Sequence, residues 1–187
     1  MDIQALQALN LSPEMIRAIQ DTGYEHFTPI QEKVIPVLMS GRDAIGQSST
    51  GTGKTAAFGI PAIELVQDPD DTPDPQVLVL CPTRELAMQV SDELRKFSKY
   101  KEGLRVFTVY GGQNIDTQIR ALKKSAIVVG TPGRVIDHLN RRTLKLSSIR
   151  LAILDEADEM LDMGFVDDIK RILYNTPENR QTALFSA

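Results

Sequence analysis

Six short runs of apolar, strand-forming residues recur along the chain, and amphipathic segments of helical period separate most of them. The runs are Ala44–Ile45, Val77–Cys81, Val106–Val109, Ile127–Val129, Leu151–Leu154 and Thr182–Phe185. Helices are predicted between them near Thr55–Val66, Arg84–Phe97, Ile115–Leu122, Pro132–Leu139 and Val166–Leu173. Strands that are apolar throughout, with no polar alternation, are buried on both faces, which calls for a parallel sheet covered by helices on either side. Parallel strands need right-handed crossovers, and the ligands of such sheets sit at the carboxyl ends of the strands. The expected fold is α/β, a doubly wound and mostly parallel sheet between two helical layers.

Two more helices are predicted ahead of the first strand. Ser12-Pro13-Glu14 offers a capping hydroxyl before a proline in the first turn, Gly23 closes that helix, and a second runs from about Ile30 to Met39. Residues 1–40 are therefore expected to be a helical lead-in belonging to the same domain as residues 41–187. The acidic, proline-broken stretch Asp68–Pro75 is a surface loop, because the strand–helix alternation resumes directly after it.

Composition narrows the function classes. With 42% hydrophobic and 25% charged residues the chain is an ordinary globular one. Its single cysteine, Cys81, cannot form an internal disulfide. No apolar run approaches the roughly 20 residues that span a bilayer, and Met1-Asp2 does not begin a signal peptide, so a soluble, cytoplasmic domain is expected. The net charge of −4 argues against nucleic acid, but its distribution does not. From Arg84 to Arg150 there are 14 Lys/Arg against 6 Asp/Glu, while the acidic residues concentrate from Asp155 to Asp168. A segregated basic middle suits a polyanion, although solvated helix faces carry such charge too.

The run Ser48-Ser49-Thr50-Gly51-Thr52-Gly53-Lys54-Thr55 follows a strand and opens a helix, the setting of a phosphate loop. Gly51 and Gly53 let backbone N–H groups turn inward around phosphate oxygens, and the helix N-terminus adds positive potential. Lys54 would reach the β- and γ-phosphates, and the Thr55 hydroxyl would ligate Mg²⁺. The strict pattern has glycine at position 48, where this chain has serine. A second element agrees with the first: the strand Leu151–Leu154 ends in Asp155-Glu156. Asp155 would hold Mg²⁺, partly through water, and Glu156 would activate an attacking water. Acids also favour helix N-termini for purely structural reasons. Together the two elements point to hydrolysis of ATP or GTP.

With these residues assembled, the chain resembles the first RecA-like domain of a DEAD-box RNA helicase. Asp155-Glu156-Ala157-Asp158 spells the motif that names the family. Gly23-Tyr24 through Gln31 matches the Q motif, Ser48–Thr55 motif I, Pro82-Thr83-Arg84-Glu85-Leu86-Ala87 motif Ia, Gly111-Gly112 the paired glycines and Thr131-Pro132-Gly133-Arg134 motif Ib. Ser186-Ala187 matches the first two residues of the Ser-Ala-Thr motif. The resemblance implies a RecA-like three-layer fold, with ATP and Mg²⁺ bound by Tyr24, Thr28, Gln31 and Ser49–Thr55. It implies that Gln31 pairs with N6 and N7 of adenine, favouring ATP over GTP. RNA contacts fall to Pro82, Thr83, Arg84, Gly111, Gly112, Thr131, Pro132, Gly133 and Arg134, directed at the sugar-phosphate backbone with little sequence preference. Asp158 and Ser186 are implied to be a hydrogen-bonded coupling pair.

The match has departures. Ser48 stands where the family commonly has alanine, Ser49 follows it, and the added hydroxyls are expected to bond locally to the loop backbone and alter how readily it opens around phosphate. Leu6 occupies the place of the usual upstream phenylalanine, and Phe27 that of proline or another small residue. The sequence stops at Ser186-Ala187, before the family's second RecA-like domain, which supplies an arginine finger. The chain is therefore expected to bind nucleotide as a monomer and hydrolyse it poorly. A non-catalytic nucleotide- or RNA-binding module is the alternative, and a DNA translocase is disfavoured by the Gly23–Gln31 and Thr131–Arg134 blocks. Cys81 is expected to be a small buried residue, and His26 and His138 surface or helix positions without metal-ligand spacing.

Overall fold

The computed structural model describes residues 8–49, 51–68 and 71–187. Leu6 and Thr50 lie outside the described residues, as do Pro69 and Asp70 of the acidic loop. Helices α1 (Pro13–Asp21) and α2 (Pro29–Met39) come first, followed by β1 (Ala44–Gln47), α3 (Lys54–Leu65), β2 (Val77–Leu80) and α4 (Arg84–Phe97). Next are β3 (Val106–Val109), α5 (Ile115–Leu122), β4 (Ile127–Gly130), α6 (Pro132–Asn140) and β5 (Leu151–Leu154). The chain closes with α7 (Ala157–Asp162), α8 (Val166–Tyr174) and β6 (Gln181–Ser186).

The six strands form one sheet in the order β1-β6-β5-β2-β4-β3, and all its pairings are parallel. Side chains alternate between the two faces. Val77, Val79, Ile127, Val129, Leu151, Ile153, Ala183 and Phe185 pack in the core that includes α1–α4 residues such as Met15, Ile35, Phe58 and Leu94. Leu78, Leu80, Val128, Ala152 and Leu154 pack on the opposite side with Val135, Met160, Ile169 and Ile172. The architecture is the helix–sheet–helix layering that uninterrupted apolar strands require.

Local signals set the helix starts. Ser12 accepts from the Met15 N–H, Thr83 from Leu86 N–H, and Asn114 from Asp116 N–H. The acidic loop is closed by Gln76, whose side chain accepts from Gln67 N–H at 2.8 Å and donates to Gln67 O at 2.9 Å.

The structure extends three predicted strands: β1 continues to Gln47, which pairs with Ser186, β4 continues to Gly130, and β6 spans Gln181–Ser186. It also contains the short helix α7, which is not among the predicted helices. Met160 is buried and Met163 is 49% exposed. No described helix is long and apolar enough to cross a membrane.

Gly130 ends β4 where the backbone is closely approached. A Cβ there would lie 2.6 Å from Val109 Cγ2, 2.7 Å from Val135 Cγ2 and 3.1 Å from the Val109 carbonyl oxygen. Because one of these neighbours is main chain of the paired strand, the site cannot relax by rotamer change alone. Gly130→Ala is expected to cost about 1–3 kcal/mol, read as a lower denaturant midpoint.

Candidate functional site

Because every strand runs the same way, the carboxyl ends of all six reach one rim. The phosphate loop leaves β1, Thr83 and Arg84 follow β2, Gly111 and Gly112 follow β3, Thr131–Arg134 follow β4, Asp155-Glu156 follow β5, and Ser186 ends β6. Residues from distant parts of the sequence meet there.

The phosphate loop is folded around its own lysine. Lys54 is buried, and its Nζ donates to the Ser48 carbonyl at 2.6 Å and to the Ser186 carbonyl at 3.2 Å. The Ser48 N–H also donates to the Ser186 carbonyl, at 3.1 Å, so loop and β6 are tied twice. Gly51 and Gly53 have φ of 77° and 85°, which side-chain-bearing residues rarely adopt. The Thr52 hydroxyl donates to the Ser49 carbonyl at 2.7 Å, and so accepts from the Ser48 hydroxyl. The serine's expected local bond exists, and its partner is a side chain rather than loop backbone.

Gln31 is placed differently from its expected role. Its amide is buried and engaged at both ends: Oε1 accepts from Thr28 N–H at 2.9 Å, and Nε2 donates to the Gly53 carbonyl at 3.2 Å. Pairing with adenine requires at least one of these partners to be exchanged. The Thr28 hydroxyl is buried beside them with no hydrogen-bond partner.

Asp155 is buried at the end of β5 and accepts from the Glu156 N–H at 3.1 Å. Burial raises its carboxyl to about 6, against the opposing charge of Lys54. Glu156 has left-handed backbone, φ 51° and ψ 51°, at the start of α7. A hydrogen bond with Glu159, burial and the Glu159 and Asp155 charges push its carboxyl to about 7. Lys54, Thr55, Asp155 and Glu156 line one groove of about 340 Å³ together with Tyr24, Gly51 and Gly53. Ala56 of α3 and Leu86, Gln89, Val90 and Glu93 of α4 complete it; Leu86 belongs to the Pro82–Ala87 block, while no motif marked Gln89, Val90 or Glu93.

Among the described residues no cluster of three or more His, Cys, Asp or Glu could hold a metal ion. Mg²⁺ fits the site nonetheless, because it takes oxygen donors and normally relies on one or two carboxylates plus waters and substrate phosphates. Asp155 and Thr55 supply such donors in the same groove.

On the other part of the rim, the Arg84 guanidinium lies 4.7 Å from the centre of the Tyr110 ring. Arg134 Nη1 donates to the Gln113 carbonyl at 3.1 Å and to Gln118 Oε1 at 3.0 Å. Gly111, Gly112 and Gly133 are exposed, while Pro82 and Pro132 are buried. The two prolines, expected to meet RNA, therefore shape the loop–helix junctions from beneath. Among the described residues no hydrogen bond joins Asp158 to Ser186: Asp158 is exposed on α7, and the Ser186 carbonyl faces Lys54 and Ser48. His138, expected at the surface or on a helix, is on α6 but fully buried, whereas His26 is exposed. Cys81 is buried, and burial together with the Asp155 and Glu156 charges pushes its thiol up.

The sequence profile of the DEAD/DEAH box helicases matches residues 28–187. The chain belongs to this family. It is 54% identical over 182 residues to the DEAD-box ATP-dependent RNA helicase CshA of Bacillus subtilis (strain 168), covering 97% of this chain and 36% of that protein. It is 52% identical over 180 residues to the ATP-dependent RNA helicase DeaD of Haemophilus influenzae, covering 96% and 29%. The crystal structure of a DEAD box protein from the hyperthermophile Methanococcus jannaschii superposes with a TM-score of 0.89 at 47% identity, over 95% of this chain and 48% of that one. The fold of this DEAD-box member is RecA-like, and the chain spans about a third of the length of the curated relatives it matches.

Two outcomes follow from this geometry. Opening the loop around phosphate breaks the Ser48–Thr52 hydroxyl pair, so Ser48→Ala is expected to tighten nucleotide binding about fivefold, the worth of roughly one neutral hydrogen bond. Titration with a fluorescent nucleotide checks it, and an unchanged Kd rules the pair out as a restraint. Burial and the Glu93 carboxylate, which accepts from the Tyr24 hydroxyl, push the Tyr24 phenol up to about 12. The folded chain keeps that proton where the unfolded chain, titrating near 10, releases it. Stability therefore falls as pH rises through this window, and Tyr24→Phe removes that component from urea midpoints measured against pH.

Proposed function

We propose that this chain is the nucleotide-binding half of an ATP-dependent RNA helicase. It takes ATP in the groove between the phosphate loop and α4, and one RNA strand along the rim at the ends of β2, β3 and β4. The observation that carries the proposal is the meeting of Lys54, Asp155 and Glu156 in one groove, on the same rim as Arg84 and Arg134. The printed names of the relatives, ATP-dependent RNA helicases, support it.

In the free chain Lys54 is held by two neutral carbonyls. Phosphate oxygens are stronger partners because the bond is then charge-assisted at both ends, so nucleotide draws the ammonium away from Ser48 and Ser186. Backbone N–H groups of Gly51–Thr55 and the N-terminus of α3 face the phosphates. When Gln31 turns to adenine it gives up the Gly53 carbonyl, which links recognition of the base to the shape of the loop. Thr55, and Asp155 partly through water, would hold Mg²⁺, which would supply charge neutralisation to the bound phosphates. Glu156, with its carboxyl near 7, is placed to take a proton from the attacking water.

RNA is gripped through its backbone. Thr83, Gly111, Gly112, Thr131 and Gly133 offer hydroxyls and N–H groups, and Arg84 and Arg134 add charge. Asp158 and Ser186 become coupled only in a closed, ligand-bound state. In the whole protein we assign the arginine finger and the remainder of the ATP cleft to a second RecA-like domain, and residues 1–40 and 41–187 to one domain. The whole protein works as a cytoplasmic monomer on this reading. An arginine finger is worth roughly 10³–10⁵ in rate, so the chain alone turns over slowly, and in isolation it serves as a binding module.

The test is phosphate release from ATP by this chain with and without single-stranded RNA, alongside Glu156→Gln. Nucleotide binding with little or no turnover is expected. RNA-stimulated turnover that Glu156→Gln abolishes would show that this half is catalytic without a partner domain. Failure to bind ATP would overturn the proposal.

A further inference from the structure

The rim arginines are held from beneath by a buried polar network that no motif marks. Gln118 of α5 is fully buried, and its amide meets four partners. Nε2 donates to the Tyr110 carbonyl at 3.0 Å and to Gln113 Oε1 at 3.1 Å, while Oε1 accepts from Arg134 Nη1 at 3.0 Å and lies 3.0 Å from His138 Nε2. Gln113 Nε2 donates in turn to the Tyr110 hydroxyl at 2.7 Å, and the Tyr110 ring carries the Arg84 guanidinium. We propose that Gln118 and His138 are positioning residues for RNA binding: a buried relay that fixes the direction of Arg134 and, through Gln113 and Tyr110, the seat of Arg84. This rests on the rim being an RNA surface.

The donor pattern leaves little freedom. The Gln118 nitrogen faces a main-chain carbonyl, which only accepts, so the amide cannot be turned round. Its oxygen must then receive protons from both remaining partners. His138 therefore carries its proton on Nε2, and its Nδ1 lies 2.9 Å from the Thr143 hydroxyl, whose one proton it shares with the His138 carbonyl at 3.2 Å. Burial foremost, and then the charge of Arg134, hold the imidazole below its ordinary value and keep the ring neutral. With both lone pairs of the Gln118 oxygen engaged, the amide is locked, and with it the guanidinium it receives.

The arrangement also shows what is left for a ligand. Among the described residues Arg134 makes hydrogen bonds through Nη1 alone, so Nε and Nη2 remain free as a fork for a phosphate. Among the described residues Arg84 is held by the tyrosine π-face and by no hydrogen-bond acceptor, which leaves its N–H donors for a ligand as well. Its Nη1 lies 3.9 Å from where a Cβ of Gly112 would stand, which places it beside the paired glycines. The network aims two arginines while sparing their donors. Replacing His138 by leucine strands one lone pair of the amide oxygen in a buried site and frees Gln118 to rotate. Glutamine at 138 can return an N–H near the place of Nε2.

The experiment measures binding of labelled single-stranded oligouridine by this chain against salt, for the unmodified protein, His138→Leu, His138→Gln, Arg134→Ala and the double variant His138→Leu/Arg134→Ala. His138→Leu is expected to weaken binding about fivefold and to lower the slope of log K against log salt by about 0.7, one phosphate contact on a single strand. His138→Gln restores both, and the double variant binds no more weakly than Arg134→Ala. A second measurement needs no variant: in the free, unmodified chain the Arg134 side-chain N–H signals in NMR are expected to show hindered guanidinium rotation, and fast averaging overturns the relay. An equal loss from His138→Leu in both backgrounds, or no rescue by glutamine, reduces His138 to packing and also overturns it. If Arg134→Ala weakens binding and His138→Leu does not, the relay alone falls. If Arg134→Ala binds RNA as tightly as the unmodified chain, the RNA reading of the rim falls and takes the relay with it.

Discussion

Parallel pairing is the constraint on which the rest of this molecule depends. A strand between parallel neighbours and covered on both sides, as β2, β4 and β5 are, is buried on both faces and must return by a crossover. Here that requirement turns six sequence-distant segments the same way and delivers their carboxyl ends to a common rim. Helices α3, α4 and α6 then begin at that rim, so their unsatisfied N–H groups point where phosphates of a nucleotide or a polynucleotide can be met. The ladder thus fixes both chemistry and location: the acidic pair lies beside the lysine because β5 is separated from β1 only by β6.

Within that frame the phosphate loop is satisfied by its own protein. Lys54 is buried against two carbonyls, the Ser48 and Thr52 hydroxyls pair, and Gln31 holds the carbonyl of Gly53. A buried ammonium left without acceptors would be costly, and the carbonyls of Ser48 and Ser186 offset that cost in the free chain. On the proposed function, nucleotide binding is an exchange of partners, and its affinity reports the difference between two sets of hydrogen bonds.

Much of this was legible in the sequence because it is local or periodic. Val77–Cys81 and Leu151–Leu154 read as buried strands from composition alone, Ser12 reads as a cap, and Gly51, Gly53, Lys54 and Thr55 sit at loop positions where their chemistry is distinctive. What could not be read depends on contacts between elements. Gln118 and His138 stand 20 positions apart on different helices, and nothing in either segment says that both are buried and bonded. Glu93 looks like any solvated helix residue until α4 packs beside Tyr24. That the two prolines of the rim are buried was hidden for a related reason: proximity to a motif does not say whether a residue faces outward or lies beneath the turn. Asp158 and Ser186, which the resemblance implies are a pair, share no hydrogen bond among the described residues.

The left-handed conformation of Glu156 has a consequence for how this protein can change. Side chains with a Cβ are disfavoured there by about 1 kcal/mol or more, and glycine would remove the penalty. A search for heat-resistant variants would accordingly be drawn to this position, because relaxing the backbone there is among the cheapest gains the fold has to offer. The gain would delete the carboxylate that stands over the groove. Backbone ease and a carboxylate lining the groove compete here at a single residue, and the chain has kept the carboxylate.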